Sequence, residues 1–526
     1  TRPMGSADAI FFRAEDGSVR LDMASLRPQW ISPMRPVCQE GVTIANGLLY
    51  WWPSVCDCQL TLYGTAALGP AGDFDFTPEV AESQRLVRSS GRVGLAPPKP
   101  VSREEAVGQA PPYGLSRDWP TFRADNTCSA ATSANVAEDS QLLWQFDPKT
   151  ATVPGLPTMS APVAAGGLAF VGGADGIVRA LDAATGEVRW KAHTGGAIRM
   201  PPTIWDERAL VGSGDGWVYA YSAADGRLQW RFRAAPAERL IPVYGSLMST
   251  WPVTTGVLVD NGTAYFAAGI ANYDGTYVYA LDARTGAIKW HNSTSGHLDR
   301  DARTGVSVQG HLLLHDGKLY MPGGTSLSPA VYDAATGKCL NDGAQLAECS
   351  SRAPRGWELS LLGNQVVACG KPFYGHPAYD VYDTTVFHRV FMASTDDVSV
   401  AWTSDARAHR VLGFRDFDRQ GLARKMANPG NRFQVNWANI TPGGKPAWSA
   451  EFGKAHAVAI CGNAVLIAAE QELVALRSSD GSILWKRSLP KPPAPWGLAV
   501  DGAGRAVVTL TDGKVLCFGR PKGALQ

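Results

Sequence analysis

The chain has 526 residues, a formal net charge of +1 and 18% charged residues. A balance this close to neutral gives no reason to expect nucleic acid or an anionic membrane surface as partner. No run of about 20 apolar residues is present to insert into a bilayer as a helix. The counts of 56 glycines, 35 prolines and 17 tryptophans favour many short strands and tight turns over long helices, so an all-β chain is predicted.

The first residues, "TRPMGSADAIFFRAEDG", lack a basic–apolar–small leader pattern and are taken as the middle of a folded element, in a mature or truncated product. Residues 1–72 are assigned as N-terminal strands that complete blades. Within them "LDMASLRPQW" keeps Asp22 and Trp30 at a spacing that recurs later. Residues 73–117, with "LAPPKPVSREEAVGQAPPYG", have the composition of a proline-rich linker or surface excursion. Residues 118–526 form the main body.

In that body one sentence repeats. "GIVRALDAATGEVRW" ends at Trp190, "GWVYAYSAADGRLQW" at Trp230 and "TYVYALDARTGAIKW" at Trp290. Around the first copy, "SAPVAAGG" (160–167), "LAFVGGADG" (168–176), "IVRALDAATG" and "EVRWKAHT" are four short strands separated by turn dipeptides. Four strands in about forty residues is the pattern of a propeller blade, which buries its faces only by stacking on its neighbours. Asp-x-x-Thr-Gly is the turn between strands three and four, and the tryptophan eight residues past the Asp is placed to clasp the next blade. Full copies are Asp182, Thr185, Gly186, Trp190 and Asp282, Thr285, Gly286, Trp290. A third copy keeps Asp333, Thr336 and Gly337, and a fourth keeps Gly481 and Trp485. Candidate innermost strands near 41, 160, 201, 252, 311, 359, 456 and 497 predict an eight-bladed propeller, with "PQWIS" supplying the last outer strand. The alternative is a seven-bladed ring plus extra N-terminal strands.

The segments "ALDAATGEVRW" and "ALDARTGAIKW" resemble the PQQ-like β-propeller repeat superfamily, over most of 119–519. "DWPTFRADN" (118–126) resembles the segment that often precedes such propellers. "RPVCQEGVTIANGLLYWWPSVCDC" and the stretch from "LMSTWPVTTG" resemble a bacterial exported branch whose function is often unassigned. The resemblance implies a periplasmic or extracellular protein. It also implies two kinds of relative: dehydrogenases holding PQQ and calcium on the ring axis, and cofactor-free protein scaffolds. The dehydrogenases typically carry adjacent cysteines. Here the nearest approach is Cys56-Asp57-Cys58, which disfavours PQQ. No cofactor and no metal site is predicted, although calcium at Asp416-Phe417-Asp418 stays open.

The nine cysteines form no CxxC, so zinc and redox motifs are disfavoured. Disulfides are expected between Cys339 and Cys349, and from Cys38 to Cys56 or Cys58, as suits an oxidising compartment. No GxSxG, HExxH or Walker A pattern commits the chain to a chemistry.

Function is expected on the loop-rich face. His297, His311, His376 and Tyr374 are the candidate catalytic groups. Arg199, Arg239, Tyr244, Trp251, Asn272, Tyr273, Asp274, Arg303, Gln309, Trp357 and Glu358 are the candidate ligand-binding groups. Aromatic rings stack on sugars, and Arg pairs with carboxylates or sulfates. The first reading is binding of a carbohydrate or a protein partner. The second is a lyase for acidic polysaccharides, in which Arg or a cation neutralises the uronate carboxylate and His or Tyr removes the adjacent proton. A PQQ-dependent dehydrogenase is the third.

Overall fold

The computed structural model describes residues 2–14, 17–32, 41–52, 66–69, 79–89, 117–150, 158–243, 246–270, 275–297, 305–306, 308, 310–323, 329–340, 358–362, 365–369, 390–394, 399–405, 408–415, 418, 420–421 and 445–521. It is a β-propeller. Beside the two-stranded hairpin Leu240–Val243/Ser246–Ser249, eight antiparallel sheets follow one another between 141 and 519 among the described residues. Their first strands are Val163–Ala165, Thr203–Trp205, Leu258–Asp260, Leu313–His315, Glu358–Leu362, Val390–Ser394, Ala455–Ile460 and Pro493–Val500. Within each sheet successive strands pair in chain order, as a meander requires, except that Leu86–Arg88 and Gln141–Phe146 add to the outer edges of the second and the last.

The recurring turn does what its residues allow. Asp182 Oδ1 accepts the N–H groups of Ala184 (2.9 Å) and Thr185 (3.0 Å), and Asp282 and Asp333 repeat this at their own turns. The turn ends on a glycine with positive φ, such as Gly186 at 76°. There the missing Cβ makes room for the previous sheet's indole, because a Cβ on Gly186 would lie 2.6 Å from Trp144. The same geometry joins Trp190 to Gly226, Trp290 to Gly337 and Trp448 to Gly481. Each indole N–H then donates to a turn carbonyl: Trp144 to Ala183 O (3.1 Å), Trp190 to Ala223 O (2.8 Å), Trp290 to Ala334 O (3.0 Å) and Trp448 to Ser478 O (3.3 Å). A register shift beside the indole's cross-strand partner recurs at Ala180/Leu181, Ala220/Tyr221, Ala280/Leu281 and Ala475/Leu476. Such a bulge adds local twist and re-aims the side chain. A large aromatic buries roughly 150–250 Å², or about 4–6 kcal/mol of apolar transfer per clasp.

Three features differ from the sequence-based expectation. The outer strand that completes the last sheet is Gln141–Phe146, paired with Val515–Gly519, and not "PQWIS". Pro28–Ser32 instead closes a separate sheet of Met4–Gly5, Ala9–Ala14 and Gly17–Asp22. The stretch 359–446, taken as one unit, holds two sheets, Glu358–Cys369 and Val390–Glu451. Residues 82–88, inside the expected linker, form a helical turn and a strand. That strand, Leu86–Arg88, pairs with Leu228–Arg233 as a fifth strand.

The N-terminal sheet carries the same turn chemistry, with Asp22 Oδ1 accepting from Ala24 and Ser25, and the same register shift. Where the other copies have glycine it has Leu26, at φ 54° and exposed. A side chain there occupies the space an incoming indole needs. Ala9, Phe11, Val42 and Trp51 pack instead with Ile241, Met248 and Ile270. The N-terminal strands therefore lie against the hairpin Leu240–Val243/Ser246–Ser249.

Candidate functional site

Residues 117–136 cross the ring's interior and touch one first strand after another. Trp119 exchanges both backbone bonds with Ala164 (2.8 Å each), and Pro120 O accepts from Ile204. Asn126 donates to Val259 O (2.8 Å) and accepts from Leu314. Thr132 N–H donates to Ile460 O, and Asp118 accepts from Gly502. Arg123, Ala124, Cys128 and Ala130 all have positive φ, at 56°, 77°, 58° and 52°. Strained non-glycine backbone of this kind persists only where its surroundings over-determine it. Asp125 does so here, accepting from Thr127 N, Thr127 Oγ1, Ser129 N and Ser129 Oγ.

Two of the predicted site residues meet on this crossing. His311 Nε2 accepts from the N–H of Leu359 (3.1 Å), so Nδ1 carries the proton and donates to Leu312 O (3.1 Å). Cys128 Sγ lies 3.5 Å from the same Nδ1, and Phe122 packs on the ring. Burial, with Arg123's charge adding, lowers the His311 pKa to about 3. This imidazole is neutral and locked to the backbone, which corrects its expected role as an accessible base. Glu358 is buried and accepts from Trp496 Nε1 at 2.9 Å. The guanidinium of Arg123 lies 3.9 Å over the Trp496 ring and donates to Leu359 O (2.9 Å) and Ser360 Oγ (3.1 Å). Arg123 and Trp496 were not among the expected site residues. "DWPTFRADN" was legible as a motif, but nothing in it marked Arg123 as the residue that reaches across.

Beside this lock is a cavity of about 20 Å³ lined by Phe122, Asp125, Cys128, Thr203, Val257 and His311. It has room for about one water. This one cavity is too small for a tricyclic quinone. Among the described residues, no group of three or more His, Cys, Asp or Glu is placed to hold a metal ion.

A second arrangement lies at the loop face. Arg239 donates to Thr250 Oγ1 (3.0 Å), and its guanidinium sits 4.7 Å over the Trp251 ring. Trp251 is itself buried, with Tyr277 packed edge-on at 6.4 Å. The hairpin around it buries Ile241 and Met248, while Leu240 (48%) and Leu247 (62%) are exposed. Arg199 is half-buried. His297 ends a short 3-10 turn, Ser295–His297. Tyr244, Asn272, Tyr273, Asp274, Arg303, Gln309, Trp357, Tyr374 and His376 lie outside the described residues, as do Cys38, Cys56, Cys58 and Cys349 of the expected disulfides and the Asp416-Phe417 part of the calcium motif. Cys128, Cys461 and Cys517 are buried thiols whose pKa burial raises to about 12.

The clasped sheets define a β-propeller, and a family-model match supports its kinship with the PQQ-like repeat superfamily. Residues 131–338 match the family model described as outer membrane protein assembly factor BamB. Comparison with curated proteins finds no match. Among solved structures, quinohemoprotein alcohol dehydrogenase from Comamonas testosteroni is 16% identical, covering 78% of this chain and 82% of that one, with a TM-score of 0.49. BamB from Moraxella catarrhalis is 14% identical, covering 74% and 97%, at 0.35. A europium-containing methanol dehydrogenase is 11% identical, covering 77% and 98%, at 0.47. Likenesses this remote assign no activity.

Proposed function

We propose that the protein is an exported, non-catalytic scaffold, an eight-bladed ring built from residues 118–526, that binds a protein partner on its loop-rich face. The observation that carries this reading is the hairpin at 240–249. It is apolar on both sides, and Leu240 and Leu247 face solvent. Solvent-facing leucines suit a protein interface. Trp251, beside the hairpin, is covered by Arg239 and is not free to stack on a sugar ring. Lyase chemistry is disfavoured at His311, whose two nitrogens are committed to the backbone. The match of 131–338 to a family described as an assembly factor agrees with a partner-binding role in the cell envelope.

The test is affinity capture from envelope extracts with the intact protein and with Leu240→Glu and Leu247→Glu. The proposal predicts a defined partner that both substitutions release, with no change in the protein's melting temperature. Equal capture by all three proteins, or ultraviolet-absorbing products released from acidic polysaccharides, would overturn it.

A further inference from the structure

Residues 79–89 bind the outside of the sheet at 203–233 as a ligand would. The strand Leu86–Arg88 pairs antiparallel with Leu228–Arg233, with partners Phe232↔Leu86, Arg231↔Val87 and Trp230↔Arg88. Val80 N–H donates to Pro236 O (2.7 Å), and Ser89 N–H donates to Gln229 O (3.0 Å). Arg85 is buried and has no carboxylate partner among the described residues. One terminal nitrogen, Nη1, lies within 3.1–3.4 Å of the carbonyls of Arg233, Ala234 and Ala235, and 3.2 Å from Tyr279 Oη. Three backbone carbonyls and a phenol converging on one cation form a receptor for a guanidinium.

A second observation shows what this contact displaces. Trp230 is the counterpart of Trp144, Trp190, Trp290 and Trp448. Its buried indole N–H has no partner among the described residues, whereas those four each donate to a turn carbonyl. The atom nearest the missing Cβ of Gly286 is Leu86 Cδ1 at 2.6 Å, ahead of Trp230 at 3.0 Å; at Gly186, Gly226, Gly337 and Gly481 the indole comes first. Leu86 has wedged into the clasp. Lifting residues 79–89, the strap, would let Trp230 make the bond its counterparts make, which offsets part of the loss of the strap's own bonds. The strap and the clasp are therefore alternatives of similar kind.

We propose that this sheet edge and its carbonyl cage form a binding site for an extended, arginine-bearing peptide segment of a partner protein. Residues 79–89 fill the site in cis and give way to the partner's strand. Edge pairing supplies affinity, and the guanidinium sets register and specificity. This site is separate from the hairpin at 240–249, so its fate does not depend on the function proposed above.

The test uses a fluorescein-labelled peptide with the sequence of residues 79–89, EVAESQRLVRS, a second peptide with the Arg85 equivalent changed to Ala, and the full-length chain. The double variant Arg85→Ala/Leu86→Ser, with its own strap weakened, should bind the first peptide at least tenfold more tightly than the unmodified protein does. The arginine-less peptide should lose at least tenfold of that affinity. Folded variant that binds no peptide, or binds both equally, overturns the proposal. Should the variant not fold, hydrogen exchange on the unmodified protein decides. Excess first peptide should speed exchange at the amides of Val80 and Ser89 severalfold; unchanged exchange there overturns the proposal.

Discussion

Gly186 and Gly167 belong to the same sheet and share φ of 76°, yet they differ in what a side chain would meet. A Cβ on Gly167 meets nothing within 4 Å, whereas one on Gly186 would lie 2.6–2.8 Å from three atoms of the Trp144 indole. Gly167→Ala should therefore cost only left-handed strain, about 1–2 kcal/mol. Gly186→Ala adds the displacement of a buried indole and the weakening of its 3.1 Å bond to Ala183 O. Overpacking costs about 1–3 kcal/mol and a hydrogen bond about 1 kcal/mol, so Gly186→Ala should lose about 2–4 kcal/mol more than its control. Thermal unfolding followed by tryptophan fluorescence and circular dichroism reads both variants against the unmodified chain. The melting temperature should fall clearly further for Gly186→Ala, with a change in near-ultraviolet signal that Gly167→Ala lacks. Equal losses would show that the indole does not clasp the neighbouring sheet and would remove the physical basis of the ring.

Other consequences follow from the axial crossing. His311 has a folded pKa of about 3 against an ordinary 6.5, so below about pH 6.5 the unfolded chain takes up a proton that the folded one refuses. Its contribution is intact above pH 6.5 and is lost as pH falls toward 3, amounting to about 2 kcal/mol at pH 5. Chemical denaturation at pH 7 and pH 5 should show this slope, and His311→Gln should flatten it while lowering stability at pH 7. Glu358→Ala removes the carboxylate acceptor of the Trp496 indole N–H and should cost about 1–3 kcal/mol, with Glu358→Gln recovering most of it; equal melting temperatures for both would contradict the lock. Cys128, Cys461 and Cys517 should resist alkylation at pH 8 until the protein unfolds, because burial keeps them as thiols.

What could be read from the sequence was whatever repeats. Asp182 to Trp190 is a local spacing with one physical use, and the same spacing at Asp282 gave turn, strand and clasp together. The sheet at 390–451 is hard to read because between its third strand, Ala408–Phe414, and its fourth, Trp448–Glu451, the sequence has no Asp-x-x-Thr-Gly. Ring closure was misassigned because "PQWIS" and "QLLWQF" are both short strands carrying tryptophan. Which one reaches Val515–Gly519 is a contact across more than 350 residues, which local pattern does not encode. For the same reason the proline-rich composition of 73–117 hid the strap, whose Arg85 finds its partners about 150 residues away. His311 looked like a base because a histidine in a polar loop sequence carries no mark of the Leu359 amide that will hold it.

Peptide-resolved hydrogen exchange on the intact protein tests the ring most directly. If Gln141–Phe146 closes it, that segment and Val515–Gly519 will exchange slowly and at one common rate, as partners in a single ladder, while Pro28–Ser32 follows its own rate. Fast exchange at 515–519, as for an open edge, or protection there that tracks 28–32, would contradict the closure and the architecture built on it.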